Sequence, residues 1–190
     1  MKRILFLIAA AASIAAQAAA LQPIPRTEWE AAAAALRVDR LSGRFEEERS
    51  ILGFPKAMRS SGRFELKDGV LVWEILEPFP SKTTLSAEGI AFEDRGASTT
   101  LKAGAEAASL LTGVLSGDLS RLERAFSLAL SRTERGRLLI DARPKSEAMS
   151  RILSRLVIEA DKAVERVQIE SPAGETTRIR FLDVRGSRGS

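Results

Sequence analysis

The chain has 190 residues, 45% hydrophobic and 28% charged, with no Cys, no His and no Tyr. That length suits one domain with a self-sufficient core, while the missing His and Cys exclude a Ser-His-Asp triad, a Cys-His pair, zinc sites built on those ligands and any disulfide. The formal charge is +4, but the 29 basic and 25 acidic residues are interspersed rather than gathered in a stripe, which argues against a nucleic-acid partner.

The N-terminus reads as an export signal. Met1-Lys2-Arg3 supplies positive charge, and an apolar run follows from Ile4 to Ala16. That run has about 13 residues, against the roughly 20 needed to cross a bilayer. Ala16-Gln17-Ala18 and Ala18-Ala19-Ala20 offer small-residue cleavage sites, so residues 1–20 are expected to be a cleavable signal peptide, an uncleaved anchor being the alternative. No Cys follows, so the chain is not expected to be a lipoprotein itself. Removing Lys2 and Arg3 lowers the net charge from +4 to about +2. No other segment is apolar enough to span a membrane, and a soluble exported domain is expected.

Pro23 and Pro25 hold an extended lead-in. Thr27-Glu28-Trp29-Glu30 then matches a capping box, and Trp29, Ala33 and Leu36 recur at helical spacing, predicting a helix to about Leu41. From Ser42 the period becomes two. Phe45 and Ile51 share a parity that Glu47 and Arg49 interrupt, and Gly53-Phe54-Pro55 breaks this first strand. Met58, Ser60, Gly62, Phe64 and Leu66 share one face of the next strand. Lys67-Asp68-Gly69 is a tight turn, and Leu71, Trp73 and Ile75 align on a third strand from Val70 to Leu76. Glu77-Pro78-Phe79-Pro80-Ser81 must be a connection. Short strands follow at 82–87, 89–93 and 98–102, completing an antiparallel meander.

The middle is helical. Ala107, Leu110, Leu111, Val114 and Leu115 form a clean stripe; Gly117 ends that helix, and Asp118 caps a second with Leu119 and Leu122. Phe126, Leu128 and Leu130 then alternate on a strand. Thr133–Gly136 turns the chain into a strand over 137–142, stopped near Pro144. Residues 146–162 fit a helix and a strand equally well. A strand over 163–170, a turn at Pro172-Ala173-Gly174 and a strand over 176–184 close the domain, and residues 185–190 are expected to be a disordered tail. The pattern is α+β, mainly β.

No catalytic constellation stands out. Glu46, Glu47 and Glu48, or Glu93 and Asp94, could do acid–base work but read more simply as a solvated strand edge and a turn. Ser81-Lys82 points to opposite faces of a strand and cannot share a proton. Asp68, Asp94 and Asp183 are scattered, with no calcium-loop spacing. What remains is an apolar sheet face, either filled by the helices, with Trp73 and Phe64 as plain core, or forming a cavity for acyl chains with the helices as a lid.

From Phe45 to Phe92 the chain resembles the LolA family of periplasmic carriers of outer-membrane lipoproteins. The resemblance is carried by Phe45-Glu46-Glu47-Glu48-Arg49, Ser60-Ser61-Gly62-Arg63-Phe64, Val70-Leu71-Val72-Trp73, Glu77-Pro78-Phe79-Pro80-Ser81, Leu85 and Glu88-Gly89-Ile90. Gly174–Ile179 fits the same plan, and the similarity is nearest to a divergent branch associated with aryl polyene gene clusters. It implies a curved, incomplete antiparallel β-barrel with short helices covering its concave apolar face, spanning residues 21–184, and it makes 151–160 a strand. The implied cavity wall is Phe45, Phe64, Leu71, Trp73, Ile75, Leu85, Ile90, Phe92, Phe126, Leu128 and Leu130, with Leu110, Leu111 and Val114 on the lid. The implied role is a monomeric periplasmic carrier that shields acyl chains of lipoproteins without covalent catalysis, metal or cofactor. Its implied partners are acylated lipoproteins or lipids, an inner-membrane ABC-type release complex and an outer-membrane acceptor. Carriage of another amphiphile, such as an aryl polyene, or a lipid-sensing interaction module, are the alternatives. Asp68-Gly69 stands where the family's housekeeping carrier has an Arg-Pro pair whose arginine helps latch the lid.

Overall fold

From Arg40 onward apolar and polar side chains alternate, and the chain folds accordingly into one large antiparallel sheet. The computed structural model describes residues 21–94, 97–101 and 105–187, with side chains described for 21–93 and 110–187. The expected signal peptide and the last three residues of the tail lie outside the described residues. A short β1 (Gln22–Pro23) and a 3-10 turn (Arg26–Glu28) lead into α1 (Trp29–Leu36). The meander comprises β2 (Arg40–Ser50), β3 (Met58–Lys67), β4 (Val70–Glu77), β5 (Ser81–Ser86), β6 (Gly89–Asp94) and β7 (Ala97–Leu101). Two helices follow, α2 (Ala105–Leu115) and α3 (Leu119–Ala125). The chain then forms β8 (Phe126–Arg132), β9 (Leu138–Pro144), the one-turn α4 (Glu147–Ser150), β10 (Arg155–Ala160), β11 (Val164–Glu170) and β12 (Thr176–Ser187).

Among the described residues twelve strands run in the order β1-β8-β9-β10-β11-β12-β2-β3-β4-β5-β6-β7, and the sheet is not closed. The order itself explains the helices. β7 is one edge and β8 lies beside the other, so the connection between them must cross from one side of the sheet to the other. α2 and α3 lie on that connection, α2 packing on β4, β5 and β6 while α3 packs on α2 and β8. Gly117, in the left-handed region at φ 69°, turns the chain between them, and Asp118 caps α3 by accepting from the Arg121 amide. The mainly β, incomplete-barrel architecture expected from the sequence is the one found.

The core explains the sharpest local demand on sequence. Phe45 of β2 lies across from Gly62 of β3, and its ring leans over that glycine to stack on Trp73 at 3.8 Å between centroids. A Cβ at Gly62 would come 1.9 Å from the Glu74 carbonyl oxygen and 2.8 Å from the Phe45 ring. Phe64 lies over Gly43 in the same way, its ring 3.0 Å from where a Cβ would stand. Each aromatic thus covers a cross-strand glycine, which pins the register of β2 against β3. At the hairpin between β3 and β4, Asp68 and Gly69 both adopt positive φ, the two-residue turn whose twist suits the flanking strands.

Four local expectations are corrected. Thr27 does not build a capping box: it lies inside the 3-10 turn, Glu28 takes the cap position of α1, and no side chain caps the helix. Arg26 instead stacks over the Trp29 ring and pairs with Glu123. The first helix stops at Leu36, because Leu41 belongs to β2 and is buried in an inward row with Leu66, Leu71 and Leu85. The ambiguous 146–162 stretch is both things in turn: Ser146 caps the single turn of α4, and strand β10 begins only at Arg155. Arg185–Ser187, expected to open a disordered tail, pair with Ser42, Leu41 and Arg40 as the end of β12.

Candidate functional site

Cross-strand register sorts the inner face into rows. Ile158, Val167, Ile179, Glu47 and Ser60 stand side by side across β10, β11, β12, β2 and β3. A second row carries Leu156, Ile169, Thr177 and Arg49. On the other side Phe64, Trp73, Thr83 and Phe92 form one row, and Leu66, Leu71, Leu85 and Ile90 another. Members of these rows line an open cavity of about 520 Å³. Phe126 of β8 and Leu71 of β4 both line it, although six strands separate them in the sheet. In a flat sheet they would be about 30 Å apart, so the sheet curls around the space.

The cavity is apolar almost throughout. Leu71, Trp73, Thr83 and Leu85 form one wall, and Leu156, Val167, Ile169, Thr177, Ile179 and Phe181 the opposite one. Leu110, Leu111, Val114 and Leu115 of α2, with Met149, Ile152 and Leu153 around α4, cover it. Two of these covering residues are open to solvent, Leu111 at 37% and Ile152 at 74% of full exposure, and they mark the mouth.

Of the fourteen side chains expected at the site, the structure brings Leu71, Trp73, Leu85, Phe126, Leu110, Leu111 and Val114 to this cavity. The other seven do not line it. Phe45 and Phe64 are fully buried beneath or beside Trp73, and Leu130 is buried in the core near β1. Ile75, Ile90 and Leu128 are half-buried against the core, and Phe92, close to the β7 edge, is 42% exposed. The wall from β10, β11 and β12 was missed. Alternation at Val167 and Ile169, and at Thr177, Ile179 and Phe181, carried the signal, but only the pairing of β12 with β2 shows which parity faces inward.

Glu47 is the exception to the apolar lining. The sequence alone places it with Glu46 and Glu48 on a solvated strand edge, yet it stands half-buried in the inner row between Ile179 and Ser60. Burial pushes its carboxyl above the ordinary carboxylate value, and the charge of Arg49 only partly offsets this. Among the described residues its carboxyl accepts no hydrogen bond and makes no ion pair, while the backbone is paired in the sheet. Its neighbours do: Arg180 donates to Glu46 at 2.5 Å, and Arg59 donates to Glu48 at 3.1 Å.

Those pairs belong to the outer face, a ladder of opposite charges. Arg137 and Arg166 both hold Glu159, at 2.8 and 2.7 Å, and Arg155 holds Asp141 at 2.7 Å. A larger depression of about 830 Å³ is lined by this ladder, including Glu46, Glu48, Arg59, Arg166 and Arg180, with Glu47 at the wall it shares with the apolar cavity. Its charges are largely satisfied by one another. The apolar cavity, partly covered by helices, is the better candidate for a small-molecule site.

No family model matches the chain, and no curated protein sequence matches it. Among solved structures it is similar to a LolA superfamily protein from Nitrosomonas europaea, at 8% identity and a TM-score of 0.45, over 88% of this chain and 95% of that one. It is also similar to a DUF1329 family protein from Desulfovibrio piger, at 14% identity and a TM-score of 0.42, over 89% of this chain and 95% of that one.

Proposed function

We propose that the protein is a carrier of acylated molecules, holding their hydrocarbon chains in the cavity between α2 and the sheet. The observation that carries this reading is the 520 Å³ apolar space inside the curl of the sheet, with exposed Leu111 and Ile152 at its mouth. Its volume lies inside the roughly 300–1,000 Å³ range of small-molecule sites. A buried CH₂ gains about 0.8 kcal/mol, so a twelve-carbon chain wholly inside would gain on the order of 10 kcal/mol before the costs of association. That gain moves an acyl chain through water without any covalent step.

The finer reading follows the sequence resemblance to LolA carriers. The cargo is the lipid anchor of lipoproteins, moved across the periplasm from an inner-membrane ABC-type complex to an outer-membrane acceptor. The test is displacement of an uncharged fluorescent lipid probe from the purified exported protein by a triacylated peptide. Displacement with a rise in thermal stability is expected; a probe signal and melting temperature untouched by saturating lipid would overturn the reading. Mass spectrometry of the ligand purified with the protein from its native host separates a lipoprotein anchor from a polyene ester.

A further inference from the structure

Of three consecutive glutamates on β2, the outer two accept hydrogen bonds from arginines, while the middle one feels only the charge of Arg49. Glu47 is the only charged side chain among the described residues that line the cavity. Its row neighbours are Ile179 and Ser60, and the residues two positions away on the same strand face are Phe45 and Arg49. Arg49 makes no hydrogen bond to Glu47: it lies 3.8 Å from Glu175 with half of its side chain in solvent, and its charge offsets the burial of Glu47 only in part. A carboxylate at the wall of an apolar space is costly unless something donates to it, and Leu or Thr would fill the position at lower cost. The Glu47 oxygens are not sealed from water, so an occupant that displaces this water must supply a donor in its place.

We propose that Glu47 selects the polar end of the cargo, favouring an acyl chain that ends in a hydrogen-bond donor (an amide N–H, hydroxyl or ammonium) and disfavouring a free fatty acid. This rests on the carrier reading of the same cavity and adds the headgroup class to it. With the chain along the wall of Leu71 and Trp73, a donor at the polar end reaches the Glu47 carboxylate; a carboxylate there meets a like charge in a poorly hydrated setting, where repulsion is strong. The same geometry makes Glu47 a specificity-determining residue rather than a structural one.

The experiment compares chains of equal length and different ends. Dodecylamine, N-dodecylacetamide and dodecanoate, each below its micelle concentration, compete at neutral pH for the full exported protein loaded with an uncharged fluorescent probe. Dodecylamine and the acetamide should bind more tightly than dodecanoate by on the order of tenfold or more, as expected for a hydrogen bond to a charged group. Glu47→Gln, nearly the same shape, should bring dodecanoate to within about twofold of the acetamide, the repulsion then being gone. Circular dichroism establishes that this variant folds, and the wild-type ranking stands without it. Equal affinities for all three ends, or a ranking unchanged in Glu47→Gln, would overturn the headgroup inference while leaving the carrier reading intact. If none of the three displaces the probe, both fall.

Discussion

On the outer face of β2, Glu46 and Glu48 are each held by an arginine from a neighbouring strand; on the inner face between them, Glu47 lines an apolar cavity and accepts no hydrogen bond from a side chain. The same residue type at adjacent positions therefore meets opposite physics. Outside, charges lie in solvent and neutralise one another across strands, a ladder that tolerates substitution. Inside, packing, closeness of approach and a single half-buried charge decide what the space holds. The comparison can be broken at four places, beginning on the inner face.

The largest effect is expected at the aromatic stack. Phe45 is 1% exposed and sandwiched between the Gly62 backbone and Trp73, so Phe45→Ala should cost about 3–5 kcal/mol in urea unfolding. Trp73 is half-buried and turns one side to the cavity, so Trp73→Ala should cost less in stability and more in affinity for lipid. In a Trp29→Phe background the remaining indole should shift its emission when a chain enters. Equal losses for the two alanine variants, with emission indifferent to lipid, would show that the ring is sealed in core.

Next comes Gly62→Ala. The added methyl would stand 1.9 Å from the Glu74 carbonyl oxygen, a contact with backbone that no rotamer can relieve. The strand must move, at about 1–3 kcal/mol or more. Because Phe45 leans on the same spot, the variant should also loosen the Phe45–Trp73 stack, visible as a red shift of Trp73 emission. A variant as stable as the wild type would mean that the register of β3 against β4 is softer than the packing implies.

Much of this fold was legible from the chain because the strands carry clean period-two patterns and the turns carry their own chemistry. Asp68-Gly69 and Gly117 each name a conformation that only a few residues adopt. Two misreadings lie at element ends. The first helix ends early because Leu41, five residues past Leu36 and off its stripe, pairs with β3 and β12. The helical spacing of Met149 and Leu153 holds for one turn, the Leu153 amide donating to the Met149 carbonyl at 2.9 Å, before β10 begins at Arg155. The cavity was half legible. Leu71, Trp73 and α2 announce an apolar face, whereas the opposite wall needs the knowledge that β12 lies beside β2. Glu47 was visible as an impurity in the inward parity of β2. Its meaning depends on which arginines reach which face, and that is a property of the assembled sheet.

A smaller and pH-dependent effect is expected from Glu47 in the ligand-free protein. Burial raises its folded-state carboxyl above the ordinary value, so the folded form binds its proton to higher pH than the unfolded form does. Stability from this group is then greatest at low pH, and is lost as pH rises from the ordinary carboxylate value through the raised one. Glu47→Gln removes that step and should be more stable than the wild type at neutral pH. Urea midpoints for both proteins across this range check it; parallel curves would mean that the carboxylate is well solvated, which would also weaken its claim on a headgroup.

The smallest effect is expected on the outer face, and it is the control for all the others. Arg180 donates to Glu46 at 2.5 Å, but both side chains are more than half exposed. Such pairs contribute about 0–1 kcal/mol, because Coulomb attraction in high dielectric is offset by ordering two long side chains. Glu46→Ala, Arg180→Ala and the double variant should therefore differ little in unfolding midpoint. Whatever coupling the cycle gives should fade in about 1 M salt, where the Debye length falls to about 3 Å. Chain binding and the preference among amine, amide and carboxylate ends should not move, since Glu46 lies on the far side of the strand from the cavity. If Glu46→Gln changed the ranking of those ends as much as Glu47→Gln, net charge rather than position would be steering the ligand. The contrast between the two faces of β2 would then lose its physical basis.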